Sequence, residues 1–312
     1  MEYKNYDTDL NNVNDSLNKY GVAVIPNILN ENECIQFRNE IWNELKYVSK
    51  NRFDINNLDT WNEFYNFDPY QSMLLHYNSL GHMQPIWNIR QHHKVYQVFE
   101  KIWDTNVNDL LVSFDGLSIH LPPEKTNRGY RGEDWFHTDQ SSKKLGRHCI
   151  QGLINLYPIN NGDSTLSILE ESHLYHESFF KDNNIENKSD WYRLKNNDID
   201  YFKDCKQYAV KSDIGSMILW DSRTFHQGIG SLQNRQKENF RMVIYITMMP
   251  KTTIKDPKTL IKKQKAFKNL KLTSHWANSV FTFPKKSENS IGDFNIIHKP
   301  VLNDIGLKLA GF

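Results

Sequence analysis

Hydrophobic and polar positions alternate in two different rhythms along this chain. G-V-A-V-I-P-N-I-L, from Gly21, is short and β-branched and predicts a strand ending at Pro26. Asn30 and Glu33 then have the spacing of a capping box. Ile35, Ile41, Trp42, Leu45 and Val48 follow as the apolar stripe of a helix. From Arg52 to about Asp109 the text is aromatic and helix-like, and H-H-K-V-Y-Q-V-F-E-K-I-W is its clearest helix. Beyond that the period shortens. L-L-V-S-F-D-G-L-S-I-H-L, ending at Pro122-Pro123, predicts one strand. C-I-Q-G-L-I-N-L-Y, T-L-S-I-L, G-S-M-I-L-W and F-R-M-V-I-Y-I-T predict four more. No helix long enough for a βαβ crossover lies between most of them, so the expected architecture is an antiparallel sandwich or barrel.

Two segments interrupt this pattern. Residues 181–200 are polar and read as a loop with a short helix, a long excursion of the kind that forms lids or substrate-facing loops. Residues 251–272 are rich in lysine, with Asp256-Pro257 placed as a helix start. The lysines are expected to lie on a solvated helix face.

Composition narrows the function classes. Apolar residues make up 38% of the 312 and aromatics 13%, enough for a well-filled core. Lys plus Arg is 38 against 37 for Asp plus Glu, which gives no global pull toward nucleic acid or an anionic membrane. No apolar run approaches the ~20 residues that span a bilayer. Cys34, Cys149 and Cys205 are far apart and form no disulfide framework. The expectation is a soluble, cytoplasmic protein; the sequence leaves its oligomeric state open.

Candidate chemistry begins with W-F-H-T-D-Q-S-S, which holds the one His-x-Asp of the chain. On a strand, His137 and Asp139 point to the same face. Two ligands make only half a metal site, and an exposed polar turn fits the same letters. A facial triad of two histidines and a carboxylate needs a third ligand from a distant strand. G-S-M-I-L-W-D-S-R-T-F-H-Q-G offers His226, after a strand and a turn. On the next strand Arg241 shares a face with Val243, Tyr245 and Thr247, where a buried guanidinium needs an anionic partner.

The order H-T-D, then G-S-M-I-L-W-D-S-R-T-F-H-Q-G, then F-R resembles the phytanoyl-CoA dioxygenase-like family of Fe(II)- and 2-oxoglutarate-dependent oxygenases. I-Q-G-L-I-N-L-Y-P-I-N-N-G, E-S-H and the opening Y-G-V-A-V-I-P-N-I-L-N-E-N-E-C are similar to other family segments, so the resemblance covers about residues 15 to 250. It implies a double-stranded β-helix, or jelly roll, surrounded by N-terminal helices in one oxygenase domain. Residues 1–110 would pack on a core at 111–250, with the 181–200 insert, and 251–312 would form a C-terminal extension. It implies iron on His137, Asp139 and His226, and Arg241 on the distal carboxylate of 2-oxoglutarate. Gln151 matches a polar position facing the co-substrate, and Asn155 shares its strand face. The chain departs from the family at Leu121, where some relatives have a co-substrate lysine, and at Gly228, where others have serine.

The resemblance further implies O2 as oxidant and hydroxylation of a small organic molecule, with release of succinate and CO2. An intact H-T-D favours hydroxylation or another oxidation over chlorination, because related halogenases lack that carboxylate. Three alternatives stay open: the same chemistry on a macromolecule, a non-catalytic jelly-roll binding protein, and a cupin-like zinc or manganese enzyme that does not use oxygen. Nucleic acid and membrane are not expected partners. The other histidines have structural readings: His92 and His93 as surface or packing residues, His173 as a turn brace, and His120 as a satisfied core histidine or a residue of the pocket mouth. Gly215 and Gly228 are expected in tight turns. The aromatic run from Asp59 to Tyr70 is expected to pack the helices on the core, with a substrate platform as the alternative.

Overall fold

The computed structural model describes residues 1–187, 189–195, 197–289 and 292–312; Lys188 and Asn196 of the predicted insert, with Ser290 and Ile291, lie outside the described residues. The strands in chain order begin with β1 (Glu2–Asn5), β2 (Val22–Ile25), β3 (Leu74–Leu75), β4 (Leu110–Val112) and β5 (Leu117–His120). Next come β6 (His137–Thr138), β7 (Ile150–Asn155), β8 (Thr165–Leu169), β9 (Tyr192–Arg193) and β10 (Gln207–Lys211). The last are β11 (Met217–Asp221), β12 (His226–Ile229), β13 (Arg241–Ile246) and β14 (Met248–Pro250). One six-stranded sheet runs β1-β10-β8-β12-β6-β9 and the other β2-β11-β7-β13-β5-β3, while β4 and β14 form a separate pair. Apart from the parallel β1–β10 pair, every pairing within the two sheets is antiparallel. This is a jelly roll with flanking helices.

Period-two alternation sorts the second sheet into two faces. Ile154, Leu219, Met242 and Ile244 face the helices, packing with Trp42, Phe64, Trp87 and Phe99. Leu153, Ile218, Trp220 and Val243 face the first sheet, meeting Leu166 and Ile168. The polar residues of the candidate site lie on this inner side.

The helical layer follows its sequence signals, with one correction. Glu31–Val48 is a helix opened by the Asn30–Glu33 capping box. Its inner stripe includes Cys34 and Phe37 with Ile41, Trp42, Leu45 and Val48, whereas Ile35 points outward. His93–Trp103 is a helix, with His92 at its N-cap. Residues 58–67 of the aromatic run wind as 3-10 turns that bury Phe64 and Phe67.

Other elements differ from expectation for local physical reasons. L-L-V-S-F-D-G-L-S-I-H-L is two strands in different sheets. The break comes at Asp115-Gly116: a Cβ on Gly116 would meet the Leu75 carbonyl at 2.2 Å, and the Asp115 carbonyl accepts from Arg90. The lysine-rich helix runs from Thr259 to Lys268, three residues after the expected start, and Lys263 is fully buried rather than solvated. Gly215 does sit in a turn with φ +73°, but Gly228 lies within β12.

Candidate metal centre and its cavity

His137 and His226 are direct cross-strand partners on β6 and β12. That pairing brings their ring centroids to 4.4 Å, and Asp139 follows on the same face. The Nε2 atoms of His137 and His226 lie 3.9 and 3.4 Å from the two oxygens of Asp139. One ligand atom from each of the three residues fits within a mutual separation of 4.8 Å.

The far side of each ring is tied down. His226 Nδ1 donates to the Thr224 carbonyl at 2.9 Å, and His137 Nδ1 donates to the Trp135 carbonyl at 3.3 Å. A carbonyl can only accept, so each Nδ1 carries a proton, and this is the tautomer in which a neutral ring turns its Nε2 lone pair to the centre, as a metal ligand must. Burial, with His226 beside it, pushes the His137 pKa down to about 4, which keeps the ring neutral. Burial alone would raise the Asp139 carboxyl; His137, His275 and His226 outweigh it and hold the group far below the usual carboxylate range. Two imidazoles with Nε2 toward the centre and an ionised carboxylate are the donor set of a facial triad. The residues fit a divalent ion.

Gln151, on β7, donates from Nε2 to Asp139 Oδ2 at 2.9 Å and thereby orients the carboxylate. Asn155 shares the strand but is not part of the cavity. Its amide donates to the carbonyls of Tyr157 and Asp213, both at 2.8 Å, fastening the end of β7 to the turn before β11. Its two N–H donors are thus taken by nearby carbonyls, while its buried Oδ1 has no partner.

Arg241, at the start of β13, is 4% exposed and lines the same cavity as the triad. Among the described residues no carboxylate pairs with it. Its Nη1 reaches the Met73 sulfur at 3.5 Å, and Nε has no partner. A buried guanidinium left this way costs stability unless a ligand supplies the anion.

The cavity has a volume of about 740 Å³ and mainly apolar walls, with the aromatic residues Tyr70, Trp135, Trp191, Trp220, Trp276 and Phe283 among them. Trp135 was not singled out from the sequence, though it stands in the H-T-D motif. It stacks on His137 at 4.6 Å and 17° while its indole N–H donates to the Gly228 carbonyl. The 181–200 insert contributes Ser189, Asp190 and Trp191; Asp190 accepts from the Ser141 amide and pairs with Lys144 at 2.7 Å. The C-terminal extension contributes residues 274–276, 279, 281 and 283, folded back by a bridge between Thr273 and Thr282. His275 and Trp276 each bring a buried ring N–H or nitrogen without a partner.

His173 braces the Asn18 carbonyl, as expected of a structural residue. His120 is buried with both ring nitrogens unpartnered, so the reading of a satisfied core histidine is wrong.

No family model matches the chain. It is 29% identical over 186 residues to Ava biosynthesis cluster protein O of Aspergillus versicolor, a match covering 56% of this chain and 58% of that protein. It is 24% identical over 273 residues to a Dictyostelium discoideum protein named "Putative phytanoyl-CoA dioxygenase", covering 76% and 74% of the two chains. The fold is similar to that of the epimerase SnoN, solved in complex with Fe3+, alpha-ketoglutarate and nogalamycin RO. That likeness has a TM-score of 0.51 at 12% identity and covers 78% of this chain and 84% of SnoN. On a jelly-roll core with a His-Asp-His cluster, the chain is thus similar to the phytanoyl-CoA dioxygenase-like proteins.

Proposed function

We propose that this chain is an Fe(II)- and 2-oxoglutarate-dependent dioxygenase that hydroxylates a small organic molecule. One observation carries the reading: a pre-oriented triad of His137, Asp139 and His226 shares a cavity with Arg241, a buried guanidinium without an anion. The names of the relatives support it, since a dioxygenase and an iron- and alpha-ketoglutarate-bound epimerase are among them.

When bound, iron(II) with 2-oxoglutarate supplies oxygen activation coupled to loss of CO2, one oxygen atom entering succinate and the other the substrate. The chain's own residues hold and orient. His137, Asp139 and His226 would hold the iron within the cavity that Arg241 also lines. Gln151 fixes Asp139, and Trp135 fixes the plane of His137. Arg241 takes the distal carboxylate of the co-substrate, a pairing its planar fork suits. The aromatic walls exclude water and favour an apolar or ring-bearing substrate. His275 and Trp276, whose buried ring nitrogens have no partner, line the same cavity and offer that substrate polar contacts. A concave cavity of this size with apolar and aromatic walls supports a small molecule over a macromolecule.

An anaerobic titration of metal-free protein with iron(II), then 2-oxoglutarate, tests the reading through the weak visible charge-transfer band of the chelate. The band should appear in wild type and be absent in His226→Ala. Iron binding with no band on adding 2-oxoglutarate would remove the co-substrate and bring a non-oxygenase metal site to the front.

A further inference from the structure

We propose that His120 is a second binding residue for the distal carboxylate of 2-oxoglutarate, acting beside Arg241. The inference rests on the co-substrate reading above and adds a residue that the resemblance does not provide.

The geometry starts from register. His120 on β5 and Arg241 on β13 are direct antiparallel partners, so their side chains rise from the same face of the sheet with Cβ atoms about 5 Å apart. His120 is 3% exposed, and neither ring nitrogen has a hydrogen-bond partner. Buried polar groups are nearly always paired, so two free nitrogens on one ring call for a ligand. The ring lines a smaller polar cavity of about 340 Å³ next to the main one.

Met73 is a wall common to both cavities. Its sulfur touches Arg241, and its Cε lies 2.5 Å from where a side chain on Gly228 would begin. The place where some relatives carry serine is therefore filled here by a thioether. Methionine is flexible and weakly polar, and an incoming ligand displaces it easily. A carboxylate in the position of the Met73 sulfur would meet the guanidinium of Arg241, with His120, the cross-strand partner of Arg241, beside it.

The charge state suits the task. Burial, together with Arg241 and Arg235, pushes the His120 pKa down to about 3, so the imidazole is neutral and keeps one N–H to donate. A second cation beside Arg241 would be repelled; a neutral donor is not. Leu121, where some relatives carry lysine, is 1% exposed and packed in the helix-side core, so that position offers the ligand nothing polar.

The test is calorimetric binding under anaerobic conditions to the iron(II)-loaded protein, with 2-oxoglutarate and with 2-oxopentanoate, the same carbon chain without the distal carboxylate. Wild type, His120→Leu and His120→Gln are compared. His120→Leu should weaken 2-oxoglutarate about 10-fold or more and leave 2-oxopentanoate unchanged, because only the first presents the charged acceptor. His120→Gln keeps an N–H donor and should recover part of the loss. Unchanged 2-oxoglutarate affinity in His120→Leu overturns the proposal, as does an equal loss for both acids, which marks a merely structural role. If wild type with bound iron takes up neither acid, the co-substrate reading itself fails, and this inference with it.

Discussion

Arg90 and Arg241 are both buried, and both sit close to the strand that ends at His120, yet their surroundings are opposite. Arg90 donates to the carbonyls of Gly81 at 2.6 Å and Asp115 at 2.7 Å, and it lies over Trp87. Its neighbours complete the pattern: Lys263 donates to the Val112 carbonyl, His82 to that of Lys271, and Trp87 to His82. Apart from Arg90 Nε, that region provides its own acceptors. Around Arg241 the acceptors are missing, and His120 beside it is unpaired as well. Burial of charge does not by itself mark a site. Burial without partners does, because evolution can close such a gap with a carbonyl, as it has around Arg90, or leave it for a ligand.

The largest expected contrast comes from changing each arginine to methionine in metal-free protein. Arg90→Met strands two buried carbonyls and should lower unfolding stability by about 2–4 kcal/mol in urea denaturation. Arg241→Met removes a charge that has no anion and should stay within about 1 kcal/mol of wild type. Equal losses would erase the distinction.

Lys263 sharpens it through pH. Burial and the nearby Arg90 push its pKa down to about 7 from the ordinary 10.5. Between those values the unfolded chain binds a proton that the folded chain does not, so this residue makes stability rise with pH. The stability difference between wild type and Lys263→Met should shift in favour of wild type by about 2 kcal/mol from about pH 7 to about pH 9. A constant difference would mean that Lys263 keeps its charge in the fold.

Asn155 gives the smallest effect. Asn155→Ala should lower stability by about 1–2 kcal/mol through its two lost hydrogen bonds. The dissociation constant for 2-oxoglutarate should not move, and a several-fold change in it would return Asn155 to the site.

What could be read in the sequence follows the range of the interactions. The capping box at Asn30, the long helices and most inner strands are set by neighbours a few residues away, and they were legible. The triad was legible because three motif positions and a resemblance pointed to it. His120 was not: its meaning depends on standing opposite Arg241, far away in the chain, and on having no partner, which no local pattern encodes. The same holds for Met73, whose side chain takes the space at Gly228. Lys263 looked like one lysine among many on a basic helix, since only packing reveals which of them is enclosed. The strand β10 and the parallel edge strand β1 were missed because they carry polar residues at their ends and give no continuous apolar run.

The shortness of β6 has a consequence for how the molecule holds together. Two residues, His137 and Thr138, join the outermost strand β9 to the rest of their sheet. An ion held by His137, Asp139 and His226 would act there as a staple across the seam, and a ligand that binds only the native state adds its binding free energy to whatever it spans. That strip, with Trp191 immediately before β9, would then open as one cooperative unit whenever the ion leaves. Amide hydrogen exchange along residues 135–139 and 192–194 would become a gauge of metal occupancy, and the mouth of the cavity would be well ordered only in molecules already loaded.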